Sequence, residues 1–414
     1  MFLGMDFGTS GARACVLDEV GNIVHEDHIA YRDAAGQSPH DWREAMHALL
    51  GNLPSYIASR LQRIAVDATS ATVLLCDAEL QPVSPALFYN DARSLVQAEQ
   101  LARYAPTGHC ASSVTSGLSK FLWLTQNINL EPARYFMHQA DWLSALLTGK
   151  GGTSDYHNAL KSGYDVELMC WPAWVMQLPN THLLPHVQSP GSLITVINPL
   201  MAQRYKINSL CNIHAGTTDS IAAFIAAGVS QAGEAVTSLG TTLVLKLLSQ
   251  TRVEAAQYGV YSHRFGDLWL AGGASNAGGG VLRKYFSDAQ LSDLSTQIDA
   301  TTDSPLDYYP LAGTGERFPL SDSQLLPRLM PRPADDVAFL HGMLQGLSRI
   351  ESAGYAKLLA LGATPLTSVT TCGCGASNAA WQQIRARLLS VPVSRATHAE
   401  ASVGAALLAR QAGI

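Results

Sequence analysis

Apolar and polar positions in the first thirty residues fall into short strand-like runs. Phe2–Phe7 is apolar and ends in Gly-Thr-Ser-Gly, which is turn chemistry. Ala12–Leu17 follows, then a second turn at 18–22, and Ile23–Ala30 alternates as a third strand. Trp42–Ile57 has helical spacing at Trp42, Ala45, Met46, Leu49 and Leu50, so one helix is predicted there. Ile64–Val66 and Val73–Cys76 read as buried strands. Strands and helices mixed in this order imply an α/β layered domain. A second block repeats the opening pattern. Glu234–Ser238 reads as a strand, Leu239–Thr242 as a turn and Leu243–Leu248 as a strand, with 259–263 and 269–272 continuing the meander. A strand–Gly-Thr–strand hairpin thus occurs at Gly8-Thr9 and again at Gly240-Thr241, which suggests two related domains. Turn composition at 228–233 marks the boundary, 319–335 reads as a surface loop, and 400–412 has helical spacing suited to packing back on the first domain.

Composition narrows the picture. Of the 414 residues, 47% are hydrophobic and 14% charged, which excludes a disordered chain and leaves material for large cores. The net charge is −6 and no Lys/Arg run exists, so nucleic-acid and acidic-membrane partners have no electrostatic support. No apolar run reaches the roughly 20 residues that span a bilayer, and the N-terminus reads without a signal-peptide pattern. Seven scattered cysteines without a CxxC pair fit a reduced, cytoplasmic compartment. His25/His28 and His182/His186 have spacings a metal could use, but neither pair has a third ligand nearby in sequence, so they read as strand or surface histidines.

Three kinds of segment can carry chemistry. In Asp6–Arg13 a carboxylate at a strand end precedes a Gly/Thr/Ser/Gly turn. Such a turn lets backbone N–H groups approach an anion. Asp6 can meet phosphate only through a cation such as Mg²⁺, with Arg13 adding charge nearby; an ordinary hairpin is the alternative. Thr217-Thr218-Asp219 opens a helical run, so Asp219 is either a helix cap or a general base for a hydroxyl attacking phosphorus. Ser238–Thr242, Gly272–Gly280 and Thr371–Gln383 are Gly-rich bends after strand-like runs. They suit either close packing or a bound nucleotide, with Asn378 and Trp381 on the first turn of the helix after the last bend. No GxxxxGK[ST] or GxGxxG segment is present.

Taken in order, these segments resemble the FGGY carbohydrate kinases. Asp6–Arg13 is similar to the first phosphate motif, Lys120–Asn127 to the family's first signature, and Thr217–Asp219 to the segment bearing the catalytic base. Ser238–Thr242 is similar to the second phosphate motif, Tyr309–Arg317 to the Pro…Gly-Glu-Arg stretch, and Gly373–Asn378 to the adenosine motif. Ala68–Asp77, Gln139–Leu143 and Ser154–Lys161 look most like a short cyanobacterial and plant subgroup with D-ribulokinase activity. Ser70-Ala71 replaces the Met-His pair of bacterial xylulokinases. Gly117 stands where Pro, Ser or Thr is usual, Cys374 where Gly is, and Ser377 where Lys is common.

The resemblance implies two RNase H-like domains of the actin/hexokinase ATPase type flanking a cleft. Residues 1–228 plus 395–414 would bind sugar, and 229–394 would bind ATP. Asp219 would be the general base and Asp6 the Mg²⁺ organiser. Gly8, Thr9, Ser10, Gly11 and Arg13 would meet the γ-phosphoryl; Gly240, Thr241 and Gly273 the other phosphates; Gly375, Asn378 and Trp381 the adenosine. Asp6, Ser10, Ser70 and Asp219 would contact the sugar, a pentulose. D-ribulose is the expected acceptor, with D-xylulose, or a non-catalytic sugar- and ATP-binding protein of the same fold, as alternatives. The oligomeric state stays open between monomer and dimer.

Overall fold

A computed structural model describes residues 1–33 and 38–411. The chain divides into two compact units, Met1–Ala226 with His398–Ile414, and Ala227–Thr397. The helical spacing predicts a tail helix to Ala412, and residues 412–414 lie outside the described part.

The first unit is built on one twisted sheet. Its strand order is Ile23–Ala30, Gly11–Leu17, Phe2–Phe7, Arg63–Ala68, Asn212–His214, Leu193–Val196, with the short strand Thr217–Thr218 also on Arg63–Ala68. The first three strands are antiparallel, as short turns require. Arg63–Ala68 then runs parallel to Phe2–Phe7, reached through helical crossover chain. Phe2–Phe7 is buried along its whole length, whereas Ile23–Ala30, at the sheet edge, alternates half-buried and exposed positions. The opening helix is Pro39–Gly51 rather than 42–57. Ser38 and Asp41 form a capping box at its start, with the Ser38 amide and hydroxyl both donating to Asp41 Oδ2 at 2.7 Å. It stops at Asn52 because Pro54 lacks an N–H and disfavours helix in the residue before it; a separate turn, Ser55–Ala58, follows. Trp42 of this helix meets Trp142 edge-on at 6.1 Å in the core. The helix Ala401–Gln411 lies across Phe2–Phe7 so closely that a Cβ on Gly4 would come within 2.2 Å of the Ala406 nitrogen.

The second unit repeats the arrangement. Its sheet order is Tyr261–Phe265, Leu268–Ser275, Leu243–Ser249, Glu234–Leu239, Ser368–Cys372, Val393–Arg395. An antiparallel meander again leads to a parallel pair, Glu234–Leu239 with Ser368–Cys372. The helix Asp336–Ala360 buries Phe339, Leu340, Met343, Leu344 and Leu347 against this sheet, and Asp335 caps its start by accepting from the Val337 and Ala338 amides. Among the described residues no helix is long and apolar enough to cross a membrane. All seven cysteines are free thiols.

Candidate active site

In the first unit the turn after Phe2–Phe7 is closed by the Gly8 amide donating to the Gly11 carbonyl at 3.0 Å. Thr9 and Ser10 are exposed on its tip, and the Ser10 carbonyl accepts from the Tyr31 amide at 3.0 Å. Gly11 is buried against the neighbouring strand, where a Cβ would lie 2.4 Å from the Ile29 carbonyl oxygen. Strand register then gathers the acids. Asp6 stands opposite Arg13 on one side and Asp67 on the other. Asp67 in turn stands opposite Thr217, two residues before Asp219. Arg13 Nη1 donates to Asp6 Oδ2 at 3.5 Å, and its Nε lies 3.5 Å from Glu400, so Arg13 serves as counter-ion to two carboxylates.

This register creates a strongly perturbed pair. Burial, and the Asp219 charge, push Asp6 up to about 6, against the pull of Asp67 and Arg13. Asp67 is 0% exposed, and burial together with Asp6 and Asp219 raises it well above the usual carboxylate range. Neither Asp67 oxygen finds a donor. The consistent arrangement is a neutral Asp67 whose proton lies toward an ionised Asp6. Asp219 opens the helix Asp219–Ala226, is half-buried, and accepts the Ser220 amide at 2.6 Å through Oδ1. Asp67 was missed in the sequence, where the strand reads only over Ile64–Val66 and the structure extends it to Arg63–Ala68. The available signal was an acid directly after that apolar run.

Ser70 lies on the turn after the same strand and is half-buried. Gly117 lies elsewhere in this unit, under the first signature. A Cβ there would sit 2.3 Å from Ser162 Oγ, which is bonded to the buried His138 Nε2 at 2.8 Å. The missing side chain at Gly117 therefore makes room for that pair. His25 and His28 occupy opposite faces of Ile23–Ala30. Among the described residues no three His, Cys, Asp or Glu side chains converge on one metal position.

In the second unit a cavity of about 500 Å³ is lined by Leu239, Gly240, Gly279, Arg283, Gly375, Asn378 and Trp381, with Cys374 and Ser377 at its wall. The structure thus brings Gly240, Gly375, Asn378 and Trp381 together, with Thr241 exposed on the adjoining turn. Gly273 is placed differently. It is buried in the strand Leu268–Ser275, where a Cβ would meet the Phe318 ring at 2.7 Å, and it does not line the cavity. The glycines that do approach the turn are 278–280. A Cβ on Gly278 would lie 2.6 Å from the Thr241 carbonyl oxygen, and the Gly279 amide donates to the Gly240 carbonyl at 2.8 Å. Asn378 caps the helix Ala379–Leu389 by accepting the Trp381 amide, and its Nδ2 donates to Ser295 Oγ at 2.8 Å. Trp381 is buried, with Nε1 donating to Ser348 Oγ at 3.1 Å, so one edge of a core ring forms part of the cavity floor.

Two buried carboxylates hold these loops. Glu316, from the Gly-Glu-Arg stretch, accepts from Ser275 Oγ at 2.6 Å and from the Asn276 amide at 2.7 Å, fixing the bend before Gly278. Glu351 takes a bidentate pair from Arg385 at 2.6 and 2.7 Å, while Arg385 Nη1 reaches Thr371 Oγ1 at 2.7 Å. That pair ties the helix bearing Trp381 to the sheet and to Asp336–Ala360.

Known proteins share this fold. The model of the N-terminal domain of the FGGY family of carbohydrate kinases matches residues 1–226, and that of the C-terminal domain matches 235–412. The chain therefore belongs to the FGGY family of carbohydrate kinases, two-domain α/β enzymes that use ATP as phosphate donor. A xylulose kinase of Staphylococcus epidermidis strain ATCC 12228 is 24% identical over 442 residues, covering 98% of this chain and 87% of that protein. One from Escherichia coli K12 is 23% identical over 444 residues, covering 99% and 90%. Among solved structures, a xyloylose kinase from Brucella ovis superposes with a TM-score of 0.85 at 23% identity, over 100% of this chain and 91% of that one. Plasmodium falciparum glycerol kinase with ADP gives 0.86 at 18% identity, over 99% and 89%.

Proposed function

We propose that this sugar kinase transfers the γ-phosphoryl of ATP to a hydroxyl of a ketopentose, D-ribulose ahead of D-xylulose. The observation that carries the reading is the register that sets Asp6 beside Asp67 and within the field of Asp219, at the end of the sheet that also bears the Ser70 turn. Asp219, half-buried at a helix start, takes the proton of the attacking hydroxyl. The turn Gly8–Gly11, with Thr9 and Ser10 exposed on its tip, meets the γ-phosphoryl, and Ser10 and Ser70 contact the sugar. Gly240 and Thr241 serve the remaining phosphates, with the adenosine against Gly375, Asn378 and Trp381.

The acidic pair fits a cation. Asp6 stays ionised beside a neutral Asp67, and a Mg²⁺ drawing one protein carboxylate would complete its shell with phosphate oxygens and water. Bound there, it would neutralise charge on the phosphates. Arg13 keeps Asp6 oriented along the strand.

The subgroup resemblance of Ala68–Asp77, Gln139–Leu143 and Ser154–Lys161 supports D-ribulose, and Ser70-Ala71 in place of Met-His weakens the D-xylulose reading. The names of the full-length relatives support D-xylulose as the second reading. A pentulose panel with coupled ADP detection tests both. The highest kcat/KM is expected with D-ribulose. A highest value with D-xylulose overturns the sugar assignment, and turnover with no pentulose overturns the substrate class.

A further inference from the structure

Lys120 is 0% exposed, inside the helix Gly117–Asn127. Its ammonium donates to two backbone carbonyls, Ala71 at 2.8 Å and Phe88 at 2.5 Å. Among the described residues no carboxylate lies at ion-pair distance from it; Asp91 and Lys161 are the charged groups that face it. A buried cation without a paired anion is expensive to keep, and a Met of similar length would fill the space more cheaply. The carbonyl it holds belongs to Ala71, a non-glycine residue at φ +61° in the left-handed region. The rest of the turn is clamped from the other side. Thr69 Oγ1 donates to Gln139 Oε1 at 2.7 Å and lies 2.6 Å from Thr72 Oγ1, which accepts the Tyr89 amide at 3.0 Å. Ser70 is the half-buried member between these anchors.

We infer that Lys120 is a positioning residue for sugar recognition: it holds Ala71 in its left-handed conformation and so sets where Ser70 presents its hydroxyl. This rests on reading Ser70 as a sugar contact. Burial lowers Lys120 to about 7, yet a neutral amine keeps two N–H groups for two carbonyls. The clamp therefore survives deprotonation, and its signature is a selective change in sugar KM rather than a pH profile.

The test compares wild type, Lys120→Met, and Lys120→Met combined with Ala71→Gly, which relieves the left-handed strain without the lysine. Hydrogen exchange of the peptide covering 69–73 is measured beside steady-state kinetics with D-ribulose and D-xylulose. Lys120→Met is expected to speed exchange there and to raise sugar KM, each by about tenfold, the scale of a lost charged hydrogen bond. ATP KM should stay within about twofold, and the double variant should recover part of both effects. Should the Met variant not fold, Lys120→Gln, with a shorter donor, is expected to move both readouts the same way by less. Unchanged exchange at 69–73 overturns the clamp whatever the sugar. Equal rises in sugar and ATP KM overturn it too, because they mark general loosening. Faster exchange in Lys120→Met, when the wild type itself phosphorylates no pentulose, supports the clamp and breaks the substrate reading instead.

Discussion

Asp6 faces Asp67 across the parallel pair at the centre of the first sheet, whereas the same two places in the second sheet hold Ser238 and Cys372. Both positions lie two residues before a Gly-Thr turn, and both turns leave an antiparallel partner strand in the same direction. The backbone frame is therefore common, and the difference lies in the side chains at the strand ends. In the first unit burial and neighbouring negative charge at one end of the sheet raise the proton affinity of Asp6 and Asp67. In the second the corresponding groups are a hydroxyl and a thiol, which put no fixed negative charge beside the turn. The buried carboxylates there, Glu316 and Glu351, are spent on Ser275, Asn276 and Arg385. One sheet thus ends in buried acids and the other in neutral groups beside a Gly-rich turn, which is the contrast the proposed division between proton transfer and phosphate binding rests on.

The largest effects should come from breaking the acidic side. Asp219→Ala is expected to lower turnover by about 10²–10⁴-fold, the usual worth of a general base. Asp6→Ala should lower sugar phosphorylation and background ATP hydrolysis together, by about 10²–10³-fold. Hydrolysis that persists at fixed Mg²⁺ would separate Asp6 from the metal.

A structural break in the second unit should rank next. Arg385→Met leaves Glu351 buried without its counter-ion, holding only the Thr237 hydroxyl, which costs about 3–5 kcal/mol. Calorimetric melting should show this as a lowered midpoint, together with weaker nucleotide binding as the helix bearing Trp381 loosens. An unchanged midpoint would show that the pair does not secure that helix.

The acid pair sharpens the contrast through pH. Because Asp6 is raised to about 6, kcat/KM for Mg-ATP should fall as pH drops through 6 and this carboxylate takes up a proton. Asp67→Asn keeps a donor to Asp6 and should leave that limb in place, while Asp67→Ala should move it to higher pH. The stability sign runs the other way. A carboxyl raised in the folded state contributes stability that is present below its unfolded value near 4 and is lost as pH rises through 6. Removing the Asp6 carboxyl should therefore raise the melting temperature at pH 7–8 relative to wild type, and no rise would contradict the burial argument.

Much of this frame is legible along the chain, because hairpins are local. Alternation and Gly-Thr turns mark both meanders before any contact is known. The helix break at Pro54 was a local signal outweighed by the apolar spacing that continues to Ile57. Asp67 needed information that spacing does not carry, since its partner Asp6 comes from a strand 61 residues away and only the register joins them. Gly273 misleads for a related reason. A glycine admitted by an aromatic ring reads the same in sequence as one admitted by a phosphate, and Phe318 is the ring. Asn378 and Trp381 were each open between packing and ligand, and the structure gives both a packing partner while leaving them on the cavity wall.

The smallest effect concerns the cavity wall itself. Cys374→Gly combined with Ser377→Lys, which restores the more usual pattern, should lower the ATP KM by about two- to fivefold, as one added charged contact at a solvated site would. A higher KM would mean that the thiol and hydroxyl already contact the nucleotide.

The division of labour between the two sheets is tested most directly by ADP titration calorimetry on Asp219→Ala, beside its turnover with the best pentulose. The account predicts an ADP dissociation constant within about threefold of wild type while turnover falls at least a hundredfold. ADP affinity lost in step with turnover, or turnover retained, would contradict it.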